Sequence, residues 1–308
     1  MGEEYWWFYD VIAVAAVAVS IYIAARKGLF KAGVSLTGYI IAFALALSLS
    51  SSIASGLYDS SVKTSNNKKL AKSVKSSRFL EKTADYLESL GYPNVDVREN
   101  KLQEIYSGKN KKKTFDEQIY DYLNNMNANT VDRDTVFYDK LHEGYAQIIS
   151  GIIADQLSEY PAEYAADLIR EKPFTTDELI PLMIDNEQIE NDTSKEAAEY
   201  ISDKYLEKPY KTELRLAAFI IILVVLLALT IFIVRAVAGD DFNDLPVASH
   251  LVGGIIGAVK GVIILIGIAA MIRLYVLLGS DKMLFFNFKA IDNSHIFKYV
   301  YQFVTDNF

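Results

Sequence analysis

Three charged residues stand inside stretches that are otherwise apolar, and they are the first places to look for chemistry. Lys260 and Arg273 interrupt LVGGIIGAVKGVIILIGIAAMIRLYVLL (residues 251–278), and Asp10 opens the run from Val11 to Ala25. A charge in a hydrocarbon-spanning segment is costly, so it faces protein, snorkels to an interface or lines a path for an ion or solute. For Lys260 the long stem allows snorkelling, while the alternative is a polar cleft shared with Asp240, Asp241 or Asp244. If successive spans alternate in direction, Asp10 and Arg273 reach the same end of the bundle, where an ion pair would join the first helix to the fourth.

Gly253, Gly257 and Gly261 recur every four residues around Lys260. On a helix they line one face, which also holds Lys260 and lets another backbone approach closely. The stripe fits packing inside one subunit or homo-oligomerisation.

Enzymatic chemistry finds little support. The chain has no cysteine, which excludes disulfides, thiol catalysis and cysteine-ligated metal sites. His142 is the only histidine between the apolar ends, and no Gly-x-Ser-x-Gly elbow, paired-histidine metal spacing, P-loop or dinucleotide fingerprint occurs. Asp132 and Asp134 lack the glycine of a calcium loop and read as a helix start. No catalytic residue, cofactor or metal ligand is assigned. A net charge of −8 argues against nucleic acid as a partner.

The elements that must position these residues follow from where charge is absent. Trp6 to Ala25 reads as a first membrane helix with an interfacial aromatic anchor, and its acidic start does not resemble a secretory signal. Arg26, Lys27, Gly28 and Lys31 form a basic turn. No charge then occurs from Ala32 through Tyr58, which is more than the roughly 20 residues needed to span a bilayer core. The serines of its second half place the end of this helix near Ala54. Leu216 to Val234 gives the third span and the glycine-striped segment the fourth.

Between them, apolar residues spaced three and four apart among charges predict a soluble all-α domain. Helices are expected near 67–91, 114–126, 133–171, 175–184 and 194–208. Residues 60–113 carry 13 Lys/Arg against 6 Asp/Glu, and residues 114–213 carry 8 against 23. The basic part could follow an anionic surface and the acidic part a cationic partner, or the two could pair with each other. The tail, 280–308, predicts an interfacial amphipathic helix in HIFKYVYQFV, with docking on the large domain as the competing arrangement.

The expected fold is therefore a four-helix polytopic membrane bundle with an inserted soluble helical domain. Its segments are 1–57 (helices 1 and 2), 58–213 (insert), 214–279 (helices 3 and 4) and 280–308 (aromatic tail). Arg26, Lys27, Lys31 and Arg235 mark one side as cytoplasmic. The insert and both termini would then be extracytoplasmic.

Within this layout the residues resemble the colicin V production (CvpA) family of inner-membrane proteins. The similarity lies in Asp10, the turn Arg26-Lys27-Gly28 with Lys31, the run Gly253 to Gly257 followed by Ala258-Val259-Lys260-Gly261, and the aromatic tail. It covers residues 5–57 and roughly 214–304. The family's turn usually shows Arg-Gly where this chain has Lys27-Gly28, and its simplest members have a short loop in place of the insert. The resemblance implies a non-enzymatic membrane protein associated with toxin production or export and envelope homeostasis. The insert would contact another envelope protein or a cell-wall polymer through residues 60–212, with homo-oligomerisation open. The rival reading is a small-solute transporter or channel subunit using the glycine face and Lys260.

Overall fold

The computed structural model describes residues 3–27, 29–108, 112–126, 131–187, 192–238, 247–279 and 288–308. The fold is all-α, with no strand among the described residues. The chain forms two compact units, one of Met1–Leu57 with Lys211–Phe308 and one of Tyr58–Tyr210.

The first unit is built from α1 (Trp6–Ala25), α2 (Leu29–Leu57), α11 (Glu207–Ala238, entering from the other unit) and α12 (Val247–Leu278), with the short α13 (Phe288–Asp292) and α14 (Phe297–Asn307). Among the described residues, four helices are long and apolar enough to cross a membrane. At 1.5 Å per residue, the 20 residues of α1 match the thickness of a hydrocarbon core of about 30 Å.

This unit is apolar outward and small inward. Val11, Ile41, Val225, Phe232 and Ile255 are exposed, whereas the faces that meet inside carry Ala13, Ser20, Ala24, Ala32, Ser35, Ala42, Ala46 and Ser50. Where the surroundings are as apolar as the side chains, helices associate through close packing of small residues rather than through burial of large ones. Gly38 abuts the Thr230 side chain, and the Phe43 and Phe219 rings meet edge to face at 5.9 Å. These contacts set α2 antiparallel to α11. α12 packs on both α1 and α2.

The second unit has the opposite surface. Among its described residues only Val136 and Phe174 are large exposed hydrophobics, and its core gathers Leu70, Phe79, Leu102, Ile119, Phe137, Tyr145, Ile149, Ile169 and Tyr205. Its helices are α3 (Lys63–Lys75), α4 (Phe79–Ser89), α5 (Glu99–Tyr106), α6 (Phe115–Met126), α7 (Asp134–Ala154), α8 (Glu159–Glu171), α9 (Leu179–Glu187) and α10 (Ser194–Ile201). The chain enters through a π-helical stretch, Tyr58–Val62, and leaves through another, Ser202–Leu206. The two are tied by Tyr58 Oη donating to the Ser202 carbonyl (2.8 Å) and by Lys63 on Asp203 (2.6 Å).

Several boundaries differ from expectation. α2 runs past Ala54 to Leu57, because serines bonding back to carbonyls of the preceding turn, such as Ser50 on Leu47, are accommodated within a helix. The helix expected at 67–91 is broken at Ser76–Arg78, where Arg78 adopts φ 49°. That expected at 133–171 is two, because Ser158 is extended and Pro161 sits in the next first turn. α5 is a further helix between the expected elements. Charges from the basic stretch pair with acidic ones, including Lys75 with Asp192 (3.4 Å) and Lys113 with Asp121.

Candidate functional site

In the first unit the glycine stripe and Lys260 meet different helices, which corrects their placement on one shared face. The stripe meets α1. A Cβ on Gly253 would lie 2.8 Å from the Ala24 carbonyl oxygen, one on Gly257 2.6 Å from Ile21 Cα and the Ser20 oxygen, and one on Gly261 2.8 Å from Val17 Cα. Each step of four along α12 moves four back along α1, so the helices run antiparallel in backbone contact. This occupied face is not available to a second subunit or as the wall of a path.

Lys260 turns instead to α2. It is 5% exposed. Its Nζ donates to Ser35 Oγ (2.7 Å) and sits 4.5 Å from the centre of the Tyr39 ring. The His250 ring, ten residues earlier, donates to the Ala25 carbonyl (2.8 Å). The Lys260 backbone is thus about 15 Å along α12 from the end of α1. The lysine does not snorkel, since its ammonium points across the bundle into a polar contact. Ser35 and Tyr39 are the partners that the apolar reading of helix 2 passed over. Their signal was present as Lys31, Ser35 and Tyr39, spaced four apart on one side of that helix.

Arg26 stacks its guanidinium on Tyr22 (4.3 Å). Lys27 is half-buried, Lys31 sits in the first turn of α2, and Gly28 lies outside the described residues, as do Asp240, Asp241 and Asp244.

Asp10 and Arg273 do not pair. Asp10 accepts from the backbone N–H groups of His295 (2.8 Å), Ile296 (2.8 Å) and Phe297 (3.1 Å), and Arg273 donates to Thr305 Oγ1. The two charges therefore hold opposite ends of α14, about 13 Å apart along its axis. A carboxylate at a helix N-terminus and a guanidinium in the last turn both complement the helix dipole. The tail packs on the first unit. Phe297 meets Tyr9 (5.2 Å), and Phe308 meets Phe219 (4.8 Å) beneath the Arg215 guanidinium (5.0 Å). Its other face leaves Ile296, Tyr299 and Phe303 exposed.

The second unit offers two features. One is a groove of about 500 Å³ between α7 and α8, floored by Gly151, Ala154, Ala162 and Ala166 and rimmed by Glu159, Glu163 and Asp167. Arg170 closes its end, bonded to both Glu143 oxygens (2.6 and 3.0 Å) and to Asp167 (2.8 Å). That guanidinium holds the Glu143 carboxyl below its usual range.

The other is a polar cluster in which His142 Nε2 meets Asp116 (2.7 Å) over the buried hydroxyl pair Tyr106–Tyr145 (2.8 Å). Burial pushes both tyrosines up. It raises Asp177 too, aided by Asp116. No group of three or more His, Asp or Glu able to hold a metal occurs among the described residues. Comparison of the chain with protein-family models, with curated proteins and with solved structures returned no match.

Proposed function

We propose that this protein is a non-enzymatic, multi-pass membrane protein of the CvpA type, serving toxin production or export and envelope homeostasis, with its insert acting as a surface binding module. The observation that carries the membrane part is the contrast between the two units. One presents large apolar side chains outward and small residues inward, and the other nearly the reverse.

Arg26, Lys27, Lys31 and Arg235 would face the cytoplasm. The insert and both termini would lie outside, with α14 in the outer interfacial zone and its exposed aromatic face toward lipid headgroups. The α7–α8 groove, with three carboxylates on its rim, suits a cationic segment of another envelope protein or an amine-bearing cell-wall polymer. Deleting residues 60–212 while keeping the spans should abolish an envelope or toxin-export phenotype without altering membrane insertion. Retention of that phenotype would remove the binding role.

The second reading, a transporter or channel subunit, is favoured by Lys260 alone. A path could follow the α2 side of this residue but not the glycine face, which α1 fills. Solute flux in proteoliposomes that disappears in Lys260→Ala would support it, and absence of flux in the native protein would remove it.

A further inference from the structure

Lys260 poses an electrostatic problem that its described neighbours do not solve. The side chain is 5% exposed in the interior of the apolar unit. Among the described residues its polar contacts are one hydroxyl and one ring face. Among the described residues no carboxylate forms an ion pair with it. Asp10, the acidic residue of α1, is not in reach. Extending the α1–α12 register places it opposite Gly267, about 10 Å further along the helix, and its oxygens are taken by the three N–H groups of the tail.

The surrounding field has the same sign as the lysine. Lys27 acts on it as a further positive charge. Arg26 and Lys31 lie at the same end of the bundle, while the helix dipoles there offset one another, since the N-termini of α2 and α12 lie beside the C-termini of the antiparallel α1 and α11. A desolvated ammonium is tolerated only when paired or fully hydrogen-bonded. Here one N–H goes to Ser35 and a second can face the Tyr39 ring, so among the described residues one donor of three and the unit of charge have no partner. On the facing side of α2, Ala32 and Ala42 flank Ser35 and Tyr39 and all four are buried, so a ligand here can be no larger than a small ion.

We propose that Lys260, Ser35 and Tyr39 form a binding site for a small monovalent inorganic anion of the size of chloride, which supplies the missing countercharge inside the bundle. The anion would enter from the end that carries Arg26, Lys27 and Lys31, whose positive side chains attract it. Lys260 holds it by charge and Ser35 fixes the ammonium.

The test uses the full-length protein in nanodiscs of zwitterionic lipid, with thermal unfolding followed by tryptophan fluorescence in chloride and in gluconate at equal ionic strength. Chloride should raise the midpoint saturably, by about 3–6 °C at ten times its dissociation constant. The gain should be lost in Lys260→Met, weakened in Ser35→Ala and retained in Lys260→Arg. Chloride-35 NMR line broadening by the native protein, absent with Lys260→Met, reports the ion directly and stays informative if that variant folds poorly. Identical midpoints in the two salts with no line broadening would overturn the proposal in favour of a neutral amine. Stabilisation by anionic lipid but not by chloride would overturn it in favour of a headgroup phosphate.

Discussion

Replacing Gly257 by alanine should loosen the bundle, although alanine is the better helix former. In a helix interior the change gains about 0.8–1.0 kcal/mol of propensity. Against this, the new methyl would lie 2.6 Å from Ile21 Cα and from the Ser20 carbonyl oxygen, which are backbone atoms that cannot rotate aside. Restoring a contact of about 3.5 Å requires the α1 and α12 axes to part by about 1 Å, enough to forfeit a quarter to a half of the dispersion energy of the atoms lining the gap. Overpacking of this kind costs about 1–3 kcal/mol, and with rigid neighbours the upper half applies, for a net loss of about 1–2 kcal/mol.

Gly33 is the internal control, because nothing lies within 4 Å of its added Cβ; Gly33→Ala should be neutral or gain up to about 1 kcal/mol. The two variants should therefore differ by about 1–3 kcal/mol, or about 2–12 °C in unfolding midpoint, measured in detergent by tryptophan fluorescence. Gly257→Ala unfolding at or above Gly33→Ala would refute the close-contact account.

Removing the Asp10 carboxylate by Asp10→Ala should cost about 0.5–2 kcal/mol, as loss of a helix cap does, and free α14. In a Trp7→Phe background that release is read from Trp6, whose ring stands edge-on to His295 at 4.8 Å; unchanged emission would argue against the clamp. Tyr106→Phe should cost about 1–3 kcal/mol because it orphans the buried Tyr145 hydroxyl, while the Tyr106→Phe/Tyr145→Phe pair should cost less than the sum of the singles. A double-mutant cycle that sums would sink that view.

The insert should also lose stability in acid. Lys140 first, then Tyr92, holds the Asp132 carboxyl below its usual value, and Arg170 does so for Glu143, so the unfolded insert takes up more protons as pH falls through the ordinary carboxylate range. Asp132→Asn with Glu143→Gln should flatten that dependence in an acid titration of helicity. At the alkaline end Tyr92 is pushed up to about 12 by burial and by its bond to Asp132. Stability should fall as pH rises above about 10, less so in Tyr92→Phe.

The four helices long and apolar enough to cross a membrane were legible because length, apolarity and flanking charge are local properties of the sequence, and Trp6, Arg26, Arg215 and Arg235 mark their ends. The glycine stripe was legible as a packing face, but its partner was not: spacing shows that Gly253, Gly257 and Gly261 align, and only the bundle shows that α1 takes them. Asp10 and Arg273 were legible as charges sharing one end. Their true partners, the backbone N–H groups of 295–297 and Thr305, depend on how the tail folds back, which no period in the sequence encodes. In the insert the break at Ser76–Arg78 carries no glycine or proline, and the contact of His142 with Asp116 spans 26 residues of chain.

Because the chain has no cysteine, single cysteines offer the most direct measurement of the central claim that four spans carry the insert on the outer face. Lys82, exposed on the insert, and Arg235, exposed at the basic end of α11, can each be replaced by cysteine and challenged with a membrane-impermeant maleimide. Lys82→Cys should label in intact cells and Arg235→Cys only after permeabilisation, with both proteins resisting carbonate extraction. The reverse labelling pattern, or release of the chain by carbonate, would contradict it.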